Sequence, residues 1–190
     1  MLRVHDLYKS FGKTEVLRGL SFEVNQGEKV LVSAPSGGGK TTLLRILCSL
    51  EKADKGVVEG VRPEEISYCF QEPRLFPQLT ALQNVTCILA DPKSGEARGL
   101  ELLEQMDLRD AADKFPHQLS GGMKQRVALA RALISDRPVL LLDEPFTALD
   151  EERRDALRQR VKEFCQNKTL FLVSHDPKDG EVLTERTIFL

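Results

Sequence analysis

The chain has 190 residues, with 27 Lys and Arg against 29 Asp and Glu, a formal charge of −2, 41% hydrophobic residues, 6% aromatic residues and no Trp. Such a length and composition suit one soluble globular domain with a sizeable core. The charge supplies no basic field for nucleic acid or anionic lipid, and the aromatic content gives no base-stacking surface.

Residues 2–7 and 15–24 are predicted as two half-exposed antiparallel strands around a turn at Ser10-Phe11-Gly12-Lys13, because Val16, Leu20, Phe22 and Val24 alternate in part. Asn25-Gln26-Gly27-Glu28 reads as a hairpin-like turn, and Lys29–Ser33 as a short strand of the buried type. That strand runs into Ala34-Pro35-Ser36-Gly37-Gly38-Gly39-Lys40-Thr41-Thr42, and Leu43, Leu44, Ile46, Leu47 and Leu50 then give a helix with a wide apolar face. Strand, glycine loop and helix are the context of a P-loop. Glycines let successive N–H groups turn toward phosphates, and the helix N-terminus adds partial positive charge. Lys40 can reach the β- and γ-phosphates, and the Thr41 hydroxyl can ligate Mg²⁺. A merely flexible turn would not explain Gly-Lys-Thr at the junction. The motif usually begins with Gly, and here that place holds Ala34. Pro35 biases Ala34 toward negative φ, where a methyl fits.

Residues 51–60 read as a charged surface connection, and Ile66–Phe70 as a strand that ends at Gln71. A residue at the carboxyl end of a sheet strand faces the ligand crevice, although Gln71 taken alone reads as a solvated loop residue. A helix starts near Leu79–Val85 with Thr80 as N-cap, Asp91–Gly95 breaks it, and Leu100, Leu103 and Met106 stripe a second helix. A third helix, from about Gly122 to Ile134, turns Val127, Ala130 and Leu133/Ile134 inward and leaves Lys124, Arg126 and Arg131 elsewhere. Ser120, Gly121 and Gly122 at its start offer N–H groups and a hydroxyl to an anion, and taken alone they also fit an ordinary capped helix start.

Val139–Leu142 is predicted as a fully buried strand closed by Asp143 in the Walker-B manner, placed for the magnesium shell. Glu144 follows and can orient and deprotonate a water facing the γ-phosphate. Glu151–Cys165 reads as an amphipathic helix and Thr169–Val173 as a buried strand leading to Ser174-His175-Asp176. A short helix near Asp179–Leu183 and a strand at Arg186–Leu190 follow. Cys48, Cys69, Cys87 and Cys165 lie far apart and read as reduced apolar thiols rather than zinc ligands or disulfides. The charged N-terminal residues speak against a secretory signal, and no apolar run approaches the ~18 residues a bilayer span requires.

In this order the motifs resemble the nucleotide-binding subunit of an ATP-binding cassette (ABC) transporter. Leu119-Ser120-Gly121-Gly122-Met123-Lys124-Gln125-Arg126 looks like the family signature, and Val139–Glu144 like Walker B with the catalytic glutamate. Thr147-Ala148-Leu149-Asp150 resembles the D-loop, His175 the switch histidine, and Gln71 the Q-loop. Phe11 sits where the family has an aromatic that stacks on adenine. Phe70–Pro77 looks most like importer ATPases for nitrate, sulfonate, taurine or thiamine-type solutes.

The resemblance implies an α/β P-loop NTPase fold, with a mainly parallel core sheet, an N-terminal antiparallel β subdomain and an inserted α-helical subdomain. One nucleotide-binding domain then spans 1–190, with 1–72 and 136–190 as core and 73–135 as the helical insert. It also implies ATP and Mg²⁺, held by Phe11, Ser36, Gly37, Gly38, Gly39, Lys40, Thr41 and Thr42. Thr41, Gln71 and Asp143 serve the metal, while Glu144, His175 and Gln71 serve hydrolysis. Ser120, Gly121, Gly122 and Asp150 act across a head-to-tail, ATP-dependent homodimer or cassette pair. The implied partners are an integral-membrane permease and, in an importer, a solute-binding protein, with the chain on the cytoplasmic face of the membrane and no nucleic acid bound. Two rival readings stand beside this one: a soluble ABC-type ATPase used as a non-transport switch, and a degenerate cassette that binds ATP without turnover, to which Ala34 is the one pointer.

Overall fold

The computed structural model describes residues 1–147 and 151–190. Ala148, Leu149 and Asp150 lie outside the described residues, and with them most of the expected D-loop. The chain divides into two compact units, one made of Met1–Tyr68, Arg137–Asp143 and Cys165–Leu190, the other of Cys69–Asp136 and Glu144–Phe164.

The first unit contains a three-stranded antiparallel sheet. Strands β1 (Leu2–Phe11) and β2 (Thr14–Val24) form a hairpin, and β4 (Lys55–Glu59) joins the other side of β1. The hairpin is longer than expected: Ser10 and Phe11 belong to β1, and the turn is only Gly12-Lys13, with Gly12 at φ 60°. β4 corrects the reading of residues 51–60 as a plain surface connection. Four of its five residues are exposed, so apolar burial leaves no imprint on its sequence, and backbone pairing to β1 holds it.

The larger sheet has the order β5-β6-β7-β3-β8, from β3 (Lys29–Ser33), β5 (Ile66–Cys69), β6 (Val139–Asp143), β7 (Thr169–Val173) and β8 (Arg186–Phe189). β3 runs parallel to β7 and β8, and β6 parallel to β7. Every residue of β6 and β7 is buried, which is why both read as unbroken apolar runs. One core serves both sheets and helix α1 (Lys40–Leu47). Leu7, Leu17 and Val24 of the hairpin join Leu43, Leu44 and Leu47 of α1 and Leu141 and Phe171 of the parallel sheet. At ~25 cal/mol per Å² of buried apolar surface, this shared core dominates what holds the unit together.

The second unit is helical, with α2 (Ala81–Thr86), α3 (Glu96–Gln105), α4 (Gly121–Ile134) and α5 (Glu151–Phe164). Thr80 caps α2 as expected: its hydroxyl accepts from Gln83 N, and Gln83 Oε1 accepts from Thr80 N. Fully buried Asn84 fastens the chain before α2. It accepts from Phe76 N at 2.7 Å and donates to the carbonyls of Phe76, Leu79 and Thr80. On α4, Arg126 departs from expectation, being buried with its guanidinium donating to the carbonyls of Met106 and Asp107. Those acceptors, near the C-terminal end of α3, let a charge that usually stays in water be buried.

Candidate nucleotide site

The parallel pairings bring the carboxyl ends of β3, β6 and β7 to one edge. Leu142 and Leu31 both pair with Leu172, and Asp143 pairs with Val173. The glycine loop after β3, the carboxylate of Asp143 and the Ser174-His175 turn therefore leave the sheet side by side, where open α/β sheets place their ligands.

The loop is shaped by its own backbone. Gly37 and Gly39 adopt φ 78° and 88°, and Gly38 N donates to Pro35 O at 2.9 Å. Gly39 is the N-cap of α1 in the left-handed conformation, with no side-chain cap. A Cβ there would lie 2.8 Å from Val16 Cγ1 and 2.9 Å from Leu17 Cδ2, so only glycine fits between loop and hairpin. The first helical bond runs from Leu43 N to Gly39 O, which leaves the N–H groups of Lys40, Thr41 and Thr42 for an anion. Lys40 Nζ folds back over the loop and donates to Ala34 O at 2.8 Å and Pro35 O at 3.2 Å. Neutral carbonyls are weaker partners for an ammonium than phosphate oxygens, so this lysine is held in reserve for a charged acceptor. Ala34 is not among the residues with positive φ, in keeping with the bias from Pro35.

Asp143 is only 1% exposed. Its Oδ2 accepts from Thr41 Oγ1 at 2.8 Å and from the Tyr68 hydroxyl at 3.1 Å. Its Oδ1 is buried with no hydrogen-bond partner among the described residues. A bare carboxylate oxygen beside a threonine hydroxyl at a phosphate-binding loop fits a hard cation. No cluster of three or more His, Cys, Asp or Glu that could hold a metal ion occurs among the described residues. Burial first, and the Asp143 charge second, push the Tyr68 hydroxyl well above its ordinary pKa, so it remains a donor.

Phe11 is 51% exposed, with Lys9 Nζ 5.2 Å from its ring centroid. Lys9 is pinned by Glu51 at 2.7 Å, Asp54 at 3.4 Å and Lys52 O at 2.7 Å, and the Glu51 hydrogen bond above all holds its ammonium above the usual pKa. His175 is exposed at the tip of its turn. The turn is tied down by Ser174 Oγ, which donates to buried Asp179 at 2.5 Å and accepts from Asp176 N at 3.1 Å.

The remaining expected residues belong to the helical unit. Glu144 is 4% exposed and adopts φ 50°, a left-handed conformation that costs a side-chain-bearing residue ~1–2 kcal/mol. Thr147 Oγ1 donates to its carbonyl at 3.2 Å, and such strain in a buried acid clusters at functional sites. Gln71 is exposed. The segment on either side of it is held from α4, where Gln125 Nε2 donates to Phe70 O and Arg131 donates to the carbonyls of Pro73 and Arg74. Ser120 caps α4, accepting from Met123 N at 3.3 Å, and a Cβ on Gly121 would meet open space.

Sequence reasoning missed Tyr68, Gln125 and Arg131. A signal for Tyr68 does exist: an aromatic with a polar tip in an otherwise small strand needs a buried partner. The other two act on backbone carbonyls, which no residue pattern announces.

The ABC transporter family model matches residues 17–147. The chain is 42% identical over 186 residues to the aliphatic sulfonates import ATP-binding protein SsuB 1 of Nocardia farcinica, covering 97% of this chain and 75% of that protein. It is 38% identical over 208 residues to the sulfate/thiosulfate import ATP-binding protein CysA of Nitrosomonas europaea, covering all of this chain but 58% of that protein's length. Among solved structures, a dimeric post-hydrolysis state of the ATP-binding cassette MJ0796 bound to ADP and Pi superposes with a TM-score of 0.90 at 32% identity, covering 100% of this chain and 94% of that one.

Proposed function

The chain belongs to the ABC transporter family, and we propose that it is an ATP-binding and ATP-hydrolysing subunit that works as a dimer with a separate membrane permease, binds ATP with Mg²⁺ at the carboxyl edge of its parallel sheet and powers import of a small solute. The observation that carries the site is the Asp143 carboxylate, clamped by Thr41 through one oxygen and bare at the other, at the strand end that adjoins the P-loop.

In this reading the loop N–H groups and Lys40 hold the β- and γ-phosphates, Phe11 stacks on adenine, and Thr41, Asp143 and Gln71 hold Mg²⁺. The metal, when bound, neutralises charge on the phosphates. Glu144 orients and deprotonates the attacking water, and His175 steadies the γ-phosphate. Ser120, Gly121 and Gly122 of a second copy close over the same nucleotide in a head-to-tail pair, with Asp150 of each copy serving the interface. The helical segment behind Gln71 passes the motion to the permease, with a solute-binding protein delivering cargo. Residues 1–190 act as one nucleotide-binding domain, with 73–135 as its inserted helical part. The assignment to import draws support from the sulfonate and sulfate/thiosulfate relatives. No helix among the described residues is long and apolar enough to cross a membrane, so attachment to the cytoplasmic face is assigned to the permease.

Glu144→Gln tests both the base and the pair. It removes the charge and keeps the size, so ATP affinity should stay within threefold while turnover drops by at least ~100-fold, within the range a general base contributes. With ATP the variant should accumulate as a dimer by size-exclusion chromatography with light scattering, and adding Ser120→Arg should abolish that dimer. Hydrolysis at the wild-type rate would refute the role of Glu144. An inactive variant that stays monomeric at high protein and ATP concentration would refute the shared site in the isolated subunit.

A further inference from the structure

Tyr68 of β5 has no part in the assignments above, yet its hydroxyl lies 3.1 Å from Asp143 Oδ2. Thr41 Oγ1 donates to that same oxygen at 2.8 Å, and Oδ1 is buried with no hydrogen-bond partner among the described residues. Both donors therefore fall on one oxygen, and they arrive from different elements, α1 and β5. A single donor would leave the carboxylate free to swing about its Cβ–Cγ bond, whereas two fix its plane and with it the direction of Oδ1. Leaving a carboxylate oxygen bare in the interior is costly unless a cation or a cation-bound water comes to it. Thr41 is also assigned to the metal, so its hydroxyl is shared when the metal is bound. Tyr68 has no second duty toward the ion.

We propose that Tyr68 is a positioning residue for the metal: by clamping Asp143 Oδ2 it aims Oδ1 at the Mg²⁺ shell and so couples tight nucleotide binding to the presence of the ion. This rests on the reading of Asp143 as a ligand of that shell. A packing role alone, in which Tyr68 fills the space beside β6 and finds an acceptor for its hydroxyl, would treat binding with and without metal alike. A positioning role would not.

The test is Tyr68→Phe in the full chain, which keeps the ring and removes the hydroxyl. Affinity for a non-hydrolysable ATP analogue is titrated once with Mg²⁺ and once with EDTA, and Mn²⁺ bound to the analogue-loaded protein is counted by electron paramagnetic resonance. The affinity in EDTA should stay within twofold of wild type. With Mg²⁺ it should weaken about tenfold, the loss expected for one hydrogen bond to a charged acceptor. Mn²⁺ should be released to a matching degree. If the variant also melts lower, the ratio of the two affinities remains the readout, because both are measured on the folded fraction. Equal losses in both conditions, or no loss in either, would overturn the proposal. Failure of the wild-type chain to bind the analogue at all would instead overturn the reading of the site itself.

Discussion

Helix α1 starts from a glycine cap and helix α4 from a serine cap, and they settle their first turns in opposite ways. α1 starts from Gly39 at φ 88° with no side chain over its free N–H groups, and the cap is buried against Val16 and Leu17. α4 starts from Ser120 at φ −66°, and its own hydroxyl occupies Met123 N. Around the first cap the protein leaves no room for any residue but glycine; around Gly121 a Cβ would meet nothing. The first turn of α1 is thus a finished cradle for an anion. The first turn of α4 is a stable helix end that can share a hydroxyl when something is brought to it. A helix start that contributes only in a dimer should look like the second, because it must be stable in solvent between encounters.

Four substitutions, the two glycines taken as a pair, sharpen or break this contrast, in falling order of effect. Lys40→Ala should weaken ATP binding at least ~100-fold by titration calorimetry, because the phosphates lose their charge-assisted donor in a partly desolvated site. Unchanged affinity would mean the cradle of α1 is not the phosphate site. Gly39→Ala should destabilise the fold by about 2–4 kcal/mol in urea denaturation, through forced positive φ and overpacking against the hairpin, whereas Gly121→Ala should change stability by less than about 0.5 kcal/mol. Similar effects at the two glycines would erase the distinction drawn between the two turns. Ser120→Ala should cost about 1 kcal/mol as a lost cap and leave ATP affinity of the monomer unchanged. A drop in monomer affinity would place Ser120 in the phosphate site of its own chain.

What could be read from the sequence divides along the range of the interaction involved. The P-loop, the two buried strands Val139–Asp143 and Thr169–Val173, and the Thr80 cap were legible because local spacing alone specifies them. β4 was not, since pairing through the backbone puts no apolar period into Lys55–Glu59. Nor was the burial of Arg126, which depends on carbonyls twenty residues away. The clamp of Tyr68 on Asp143 spans 75 positions and exists only because β5 lies next to β6 in the sheet order. Motifs announce which groups do the chemistry; strand order decides what holds them still.

β4 has a further consequence, for colloidal behaviour. It is one of the two outer strands of the antiparallel sheet, and an unpaired strand edge invites the edge of any passing chain. Here the invitation is blunted. The strand has only five residues, carries Lys55 and Glu59 at its ends, and bends at Gly56 with φ 88°. Its backbone comes so close to β1 that a Cβ on Gly56 would lie 2.4 Å from Asp6 O. In the proposed head-to-tail pair, which must form and part repeatedly, the chain gains from an edge too short, too charged and too bent to nucleate fibrils.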